Sequence, residues 1–262
     1  MEIDQVFIIG FIAVVASVSA YFQLLKPSGA IAAFLTGVFI WAGFGIKGLI
    51  LLGVFFLTSS LLSKYKSHRK QQLSELHQKG AARDWAQVAA NGGTAALAGI
   101  GNFLLPDPIW TIVLASSLAS ANGDTWASEL GVLSKVQPLS VKSFKRVPTG
   151  TSGAISAVGT AAAAVGSLLI ALTAASLFPL GPGWTGIIFL LGVVGTMIDT
   201  FLGAYLQAEF ACVTCNRLTE KTIHCSLPTR HVSGIVKLDN DAVNFLSCFT
   251  AALAGIVLYI IF

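Results

Sequence analysis

Charge is what this sequence has least of. Only 11% of its 262 residues are Asp, Glu, Lys or Arg, against 55% hydrophobic. A soluble domain carries about 25% charged residues, and apolar runs fill the whole length, so no separate soluble domain is left over. The alternating segments of about ten residues that build a spanning β-barrel are absent; the runs are continuous and rich in Ala, Leu, Ile and Gly. No tandem repeat is visible. None of the four histidines lies inside an apolar run, and the Gly-Lys-Ser/Thr ending of a Walker P-loop is missing.

What remains is an all-α, polytopic membrane bundle, read as one membrane domain over 1–262. Eight apolar segments cover about 5–25, 29–45, 48–62, 86–105, 108–130, 153–178, 184–208 and 242–262. The first follows Glu2 and Asp4 rather than a basic start and is long for a signal core, so it reads as a retained helix. The second and third are short against the ~20 residues of a full crossing. The count is therefore about eight transmembrane segments, or six plus a re-entrant pair.

The basic residues order these segments. Lys64, Lys66, Arg69, Lys70, Lys79 and Arg83 fall in the 63–85 loop; Lys135, Lys142, Lys145 and Arg146 in the 131–152 loop; Arg217, Lys221, Arg230 and Lys237 in the 209–241 loop. Lys26 joins them if the N-terminus is outside, and only Lys47 falls on the other side. Basic loops stay cytoplasmic, so these three loops are expected inside. Ser63 to Asp84 reads either as a surface helix on anionic lipid or as a solvated linker.

Polar residues inside apolar runs are expensive, ~2.5–3.5 kcal/mol for a charge at a helix centre, and so point to function. Arg83, Gln87, Asn91 and Thr94 share a face of one segment. Asn122, Asp124, Thr125, Ser128 and Glu129 crowd the next. Asp199 follows, near Gln207, and Asp239, Asn240, Asp241 and Asn244 open the last segment. In the eight-span arrangement all four clusters lie at the cytoplasmic depth. Such carboxylate and amide oxygens suit a hard cation such as Mg²⁺. The competing reading is helix capping and hydrogen bonding between helices, strongest for Asp241 and Asn244.

The stretch Lys142-Ser-Phe-Lys-Arg-Val-Pro-Thr-Gly-Thr-Ser-Gly153 leads into the sixth segment. Basic side chains, hydroxyls and two glycines before a helix N-terminus suit a phosphate chain. The alternative is a topology-setting basic loop followed by an N-cap. Cys212 and Cys215 form a C-x-x-C, with His224 and Cys225 nine residues on and His231 nearby. Two to four of these would suit zinc; a redox pair and plain reduced thiols are the rivals.

Several stretches together resemble a known integral-membrane family, once called domain of unknown function 92, which includes animal transmembrane protein 19 and the phytyl-phosphate kinase of vitamin E synthesis. They are Arg83-Asp-Trp-Ala-Gln-Val-Ala-Ala-Asn-Gly92, Ala121-Asn-Gly-Asp-Thr-Trp-Ala-Ser-Glu-Leu-Gly131, Arg146-Val-Pro-Thr-Gly-Thr-Ser-Gly153, Asp199-Thr-Phe-Leu-Gly-Ala-Tyr-Leu-Gln207, Cys212-Val-Thr-Cys215 with His224-Cys225, and Asp239-Asn-Asp-Ala-Val-Asn244. The resemblance runs from about residue 5 to the C-terminus. It implies transfer of a phosphoryl group from a nucleoside triphosphate, CTP foremost, to an isoprenyl monophosphate such as phytyl phosphate. A lipid-phosphate cytidylyltransferase and an anionic-lipid transporter or flippase are the alternatives.

That chemistry sets expectations for single residues. Asp124 and Asp199 hold Mg²⁺, with Glu129 as a further ligand and Asp241 as another candidate. Lys142, Lys145 and Arg146 clamp the triphosphate, and Thr149, Gly150, Thr151, Ser152 and Gly153 wrap it. Asn91, Asn122 and Asn244 orient phosphate oxygens. Cys212, Cys215, Cys225 and His224 are the candidate zinc ligands, in support of structure. No nucleic-acid partner is expected.

Overall fold

The computed structural model describes residues 3–65 and 82–262. Among them are seven helices: α1 (Ile3–Tyr21), α2 (Pro27–Lys64), α3 (Trp85–Leu104), α4 (Ile109–Gly131), α5 (Ala157–Leu177), α6 (Pro182–Tyr205) and α7 (Asn240–Ile261). Lys66, Arg69, Lys70 and Lys79, and most of the Ser63–Asp84 stretch, lie outside the described residues.

The helix starts are written locally. Asp84 accepts from the backbone N–H of Gln87, and the Gln87 side chain accepts from the Asp84 N–H, a capping box that opens α3. Ser156 caps α5 through Gly159 N–H, and Asp239 caps α7 through Ala242 N–H. Pro27 and Pro182 sit in the first turns of α2 and α6, where no N–H is needed.

α2 resolves the two short segments. Gly45 has φ 61° and ψ −150°, a backbone state open essentially to glycine alone. There the chain turns back on itself. In the first arm Gly29 packs on the Arg83 carbonyl and Gly43 on Gly99, while Asn102 Nδ2 donates to the Gly43 carbonyl. This arm therefore runs parallel to α3. The return arm meets α4 in the same sense, with Thr58 against Asn122 and Ser63 against Glu129. Each arm of 18 or 19 residues is about 27–29 Å long, close to the ~30 Å hydrocarbon core. The first arm runs alongside α3 and the return arm alongside α4.

α4 is the axis. Ile112 through Gly123 are all buried, and its neighbours are α2, α3, α5, α6 and α7. A helix enclosed on every side sees no lipid, and small or polar residues serve it: Ala115, Ser116, Ser117, Ala119, Ser120 and Ala121 fill the tight interior. α4 accordingly falls outside the five helices long and apolar enough to cross a membrane, as does α3. The outer helices α1, α2, α5, α6 and α7 carry the exposed apolar side chains, among them Phe7, Phe11, Leu57, Leu172 and Leu190.

The connections gather at one end. Lys26 N–H donates to the Arg83 carbonyl, Lys64 Nζ to the Phe22 carbonyl, and Tyr205 Oη to the Val141 carbonyl. Of the described basic residues, only Lys47 lies toward the other end, two residues past the turn at Gly45. The loops at this basic end also hold short strands. β1 (Leu139–Ser140) pairs with β2 (Ala154–Ile155); β3 (Glu209–Ala211) lies between β4 (Leu218–Thr219) and β7 (Arg230–Ser233); β5 (Ile223–His224) pairs with β6 (Leu227–Pro228). The β1–β2 hairpin changes one expectation. α5 starts at Ala157, not at Gly153, so the phosphate-type loop is held by the hairpin before the helix begins.

Candidate active site at the basic end of the bundle

Two carboxylates from different helices interact electrostatically in the interior. Asp124 lies two turns before the end of α4, and Asp199 stands on α6 one turn before Gly203. Around Asp199 the structure gathers Asp124, Ser247 of α7 and Glu220 from the loop after β4. Asp199 Oδ2 is buried with no hydrogen-bond partner among the described residues. A buried, unpartnered carboxylate oxygen beside a second acid is costly unless a cation joins them. The hydroxyls of Ser120 and Ser116, one and two turns before Asp124 on the same helix, are likewise buried without partners among the described residues.

The Thr149–Gly153 turn packs against α6 beyond Asp199. Gly153 has φ 69°, and a Cβ there would run into Ala204 of α6. Gly150 also takes a left-handed conformation, at φ 89°. Ser152 Oγ donates to Gln207 Oε1 at 3.1 Å. The turn is thus seated on the last turns of α6, just beyond Asp199. Thr151 Oγ1 donates to the Pro148 carbonyl at 2.8 Å, which keeps the turn closed. The basic side chains are set apart. Lys142, Lys145 and Arg146 are exposed on the hairpin, and Arg146 Nη1 donates to the Gln137 carbonyl at 2.6 Å.

Other expected residues have different employment. Asn122 is fully buried. Its Oδ1 accepts from Thr58 Oγ1 at 3.1 Å and Ser59 Oγ at 3.4 Å, and its Nδ2 donates to the Gly166 carbonyl at 2.8 Å. The amide ties α4 to α2 and α5 and is committed there rather than to phosphate. Glu129 accepts from Ser63 Oγ and faces Arg83, away from the Asp124–Asp199 pair. Burial pulls the Arg83 guanidinium down, and Glu129 opposes that shift. Asn91 Nδ2 donates to the Gln87 carbonyl one turn back.

On α7 the cap is Asp239, so Asp241 and Asn244 are not N-caps; both are buried. Asp241 lines an apolar groove of about 430 Å³ between α3 and α7, walled by Trp85, Ala89, Gly93, Leu97 and Phe245. A second recess of about 250 Å³ lies at the basic end, lined by both polar side chains (Gln207, Glu220, Lys237) and apolar ones (Ala208, Phe210, Val236).

The cysteines cluster further out. The ligand atoms of Cys212, Cys215, His224 and Cys225 all lie within 4.8 Å of one another. The backbone N–H of Cys215 is first among the groups that hold the Cys212 thiol down to about 6, while a hydrogen bond with Cys212 leads those that push Cys225 up to about 11. His231 is elsewhere, edge-on to Phe210 at 5.5 Å.

Over residues 10–252 the sequence matches the family described as integral membrane protein DUF92. The chain belongs to this family. It is 33% identical to Protein PGR of Arabidopsis thaliana, over 99% of this chain and all of that one. It is 28% identical to an uncharacterized membrane protein of Methanocaldococcus jannaschii, over 90% of this chain and 87% of the relative. It is 24% identical to Protein VTE6, chloroplastic, of Arabidopsis thaliana, over 78% of this chain and 62% of the relative. No solved structure matches.

Sequence reasoning passed over Glu220, and gave Gln207 no role. Gln207 Nε2 donates to Glu220 Oε1 at 2.8 Å. Glu220 carried no signal because it sits in a polar loop where an acid costs nothing. Only the β3–β4 pairing brings it back to the helix ends.

Proposed function

We propose that this DUF92 member is a nucleoside-triphosphate-dependent kinase. It converts an isoprenyl monophosphate to the diphosphate at the cytoplasmic membrane face, with CTP as donor and phytyl phosphate as acceptor. The basic end of the bundle is then the cytoplasmic end, as the positive-inside rule requires. The observation that carries the reading is Asp199, whose buried Oδ2 lacks a hydrogen-bond partner among the described residues and whose carboxylate feels the charge of Asp124. Two carboxylates with an open oxygen fit Mg²⁺, which prefers hard oxygen ligands and shares them with substrate phosphates. When bound, the ion would neutralise charge on the phosphates; Asp124 and Asp199 would hold it. Glu129, engaged by Ser63 and Arg83, is left out of that set.

The rest of the site divides by chemistry. The isoprenoid tail lies in the groove between α3 and α7, whose walls are apolar and whose acidic residue, Asp241, belongs to the first turn of α7. The nucleoside lies in the second recess by Glu220, Thr222 and Lys237. The backbone of the Thr149–Gly153 turn donates to the phosphate chain, and Lys142, Lys145 and Arg146 bring positive charge to it. The acceptor's second pKa is about 6, so at neutral pH it is already a dianion. Its oxygen forms a bond to the γ-phosphorus as the bridge to the β-phosphate breaks, and the nucleoside diphosphate leaves with the electron pair. No histidine base is needed, and positioning with charge neutralisation supplies the catalysis.

The test is stoichiometry. Purified protein given CTP and a panel of prenyl monophosphates should release CDP and form prenyl diphosphate, resolved by ³¹P NMR. Release of pyrophosphate with a CDP-lipid would make the chain a cytidylyltransferase instead.

A further inference from the structure

The Cys212–Cys225 cluster has the dimensions of a metal site. Cys225 Sγ is 4.0 Å from Cys215 Sγ. His224 Nδ1 lies 3.6 Å from Cys215 Sγ and 3.3 Å from Cys225 Sγ. With Zn–S of about 2.3 Å and Zn–N of about 2.0–2.1 Å, a tetrahedron sets its S···S edges at about 3.8 Å and its S···N edges at about 3.6 Å. The three separations among Cys215, Cys225 and His224 are close to those edges, and Cys212 Sγ lies within 4.8 Å of the other three ligand atoms.

The backbone is shaped around the same point. Cys212 Sγ accepts from the backbone N–H groups of Thr214 and Cys215 at 3.4 and 3.5 Å, as a thiolate in a knuckle would. Asn216, just after Cys215, has φ 55°, and Cys225 and Ser226 have φ 50° and 63°. Non-glycine residues seldom take such conformations. Here one left-handed residue follows Cys215 and a second left-handed turn includes Cys225 itself, which brings the four side chains together. The strands they close, β3 to β7, are two to four residues long and offer little core of their own. Below a certain size such ribbons need a staple.

We propose that Cys212, Cys215, His224 and Cys225 bind a single zinc ion that holds the β3–β7 ribbon together. Three soft thiolates with one imidazole select zinc over the hard cations suited to Asp124 and Asp199. The site stands independently of the kinase reading. It has one consequence for that reading: Glu220 lies between the two ligand pairs, and Glu220 holds Gln207, which in turn holds Ser152 of the phosphate-binding turn.

The full chain, purified in detergent with a thiol reductant and no chelator, should contain about one zinc per chain by elemental analysis. After zinc is stripped, added Co²⁺ should give thiolate-to-cobalt charge transfer and the visible bands of a tetrahedral ion. Cys215→Ser and Cys225→Ser should lose both the zinc and the cobalt spectrum. Cys248→Ser, buried in α7, should keep both. If a variant does not accumulate, the cobalt titration of the unaltered chain decides. A chain that is metal-free and also refuses Co²⁺ would overturn the proposal. So would Cys225→Ser with zinc retained, or a Cys215–Cys225 disulfide in protein whose thiols were trapped at lysis.

Discussion

Gln207 Nε2 donates to Glu220 Oε1 at 2.8 Å while its Oε1 accepts Ser152 Oγ at 3.1 Å. One amide at the end of α6 thus ties the turn before α5 to the ribbon after it. A hydrogen bond to a charged group contributes about 1.5–3 kcal/mol. Gln207→Ala should therefore raise the nucleotide KM by roughly tenfold or more, with the lipid KM little changed. Steady-state kinetics with each substrate varied in turn checks this. An effect on the lipid KM alone would remove Gln207 from the nucleotide side.

Asp124→Asn and Asp199→Asn keep the shape of each side chain and remove the charge. Both variants should insert and purify like the unaltered chain and lose turnover by a factor of about 10² or more, the scale seen when one electrostatic group of a site is removed. Near-normal turnover in either variant would show that residue not to be a required ligand.

Lys145 and Arg146 sit exposed on the β1–β2 hairpin, a few residues before the Thr149–Gly153 turn proposed to wrap the phosphates. Replacing either by Ala should raise the nucleotide KM and leave kcat within a few-fold. The rise should shrink as salt is added, since exposed charges act through solvent that ions screen. A KM shift confined to the prenyl phosphate would assign the hairpin to the acceptor.

The orientation has its own test. Val136→Cys lies at the basic end and Gly181→Cys at the other, both exposed. A membrane-impermeant thiol reagent added outside intact cells should label Gly181→Cys and miss both Val136→Cys and the native Cys215. Labelling of Val136→Cys from outside would invert the model.

Much of this architecture was legible from run lengths and the placement of basic residues, because hydrocarbon thickness and loop charge act on sequence directly. The pairing of Asp124 with Asp199 was legible for the same reason: two acids in apolar runs, at one depth. What sequence hid were choices between equivalent local signals. Asn122 has the chemistry of a phosphate contact and of a helix tie, and only the positions of Thr58, Ser59 and Gly166 decide for the tie. Thr151, Ser152 and Ser156 are all credible N-caps; the β1–β2 pairing awards the helix start to Ser156. The reversal near Gly45 was expected from the gap between the second and third segments; the backbone angle that makes it is what composition does not record.

The central claim is that the Asp124–Asp199 site moves the terminal phosphoryl group of a nucleoside triphosphate onto a lipid phosphate. The direct measurement is label transfer: CTP carrying ³²P in either the γ- or the α-position, incubated with phytyl monophosphate and purified protein, with the lipid products separated. The account predicts that γ-label appears in phytyl diphosphate, that α-label stays with CDP, and that Asp199→Asn abolishes the transfer. Appearance of α-label in the lipid, or γ-label transfer undiminished in Asp199→Asn, would contradict it.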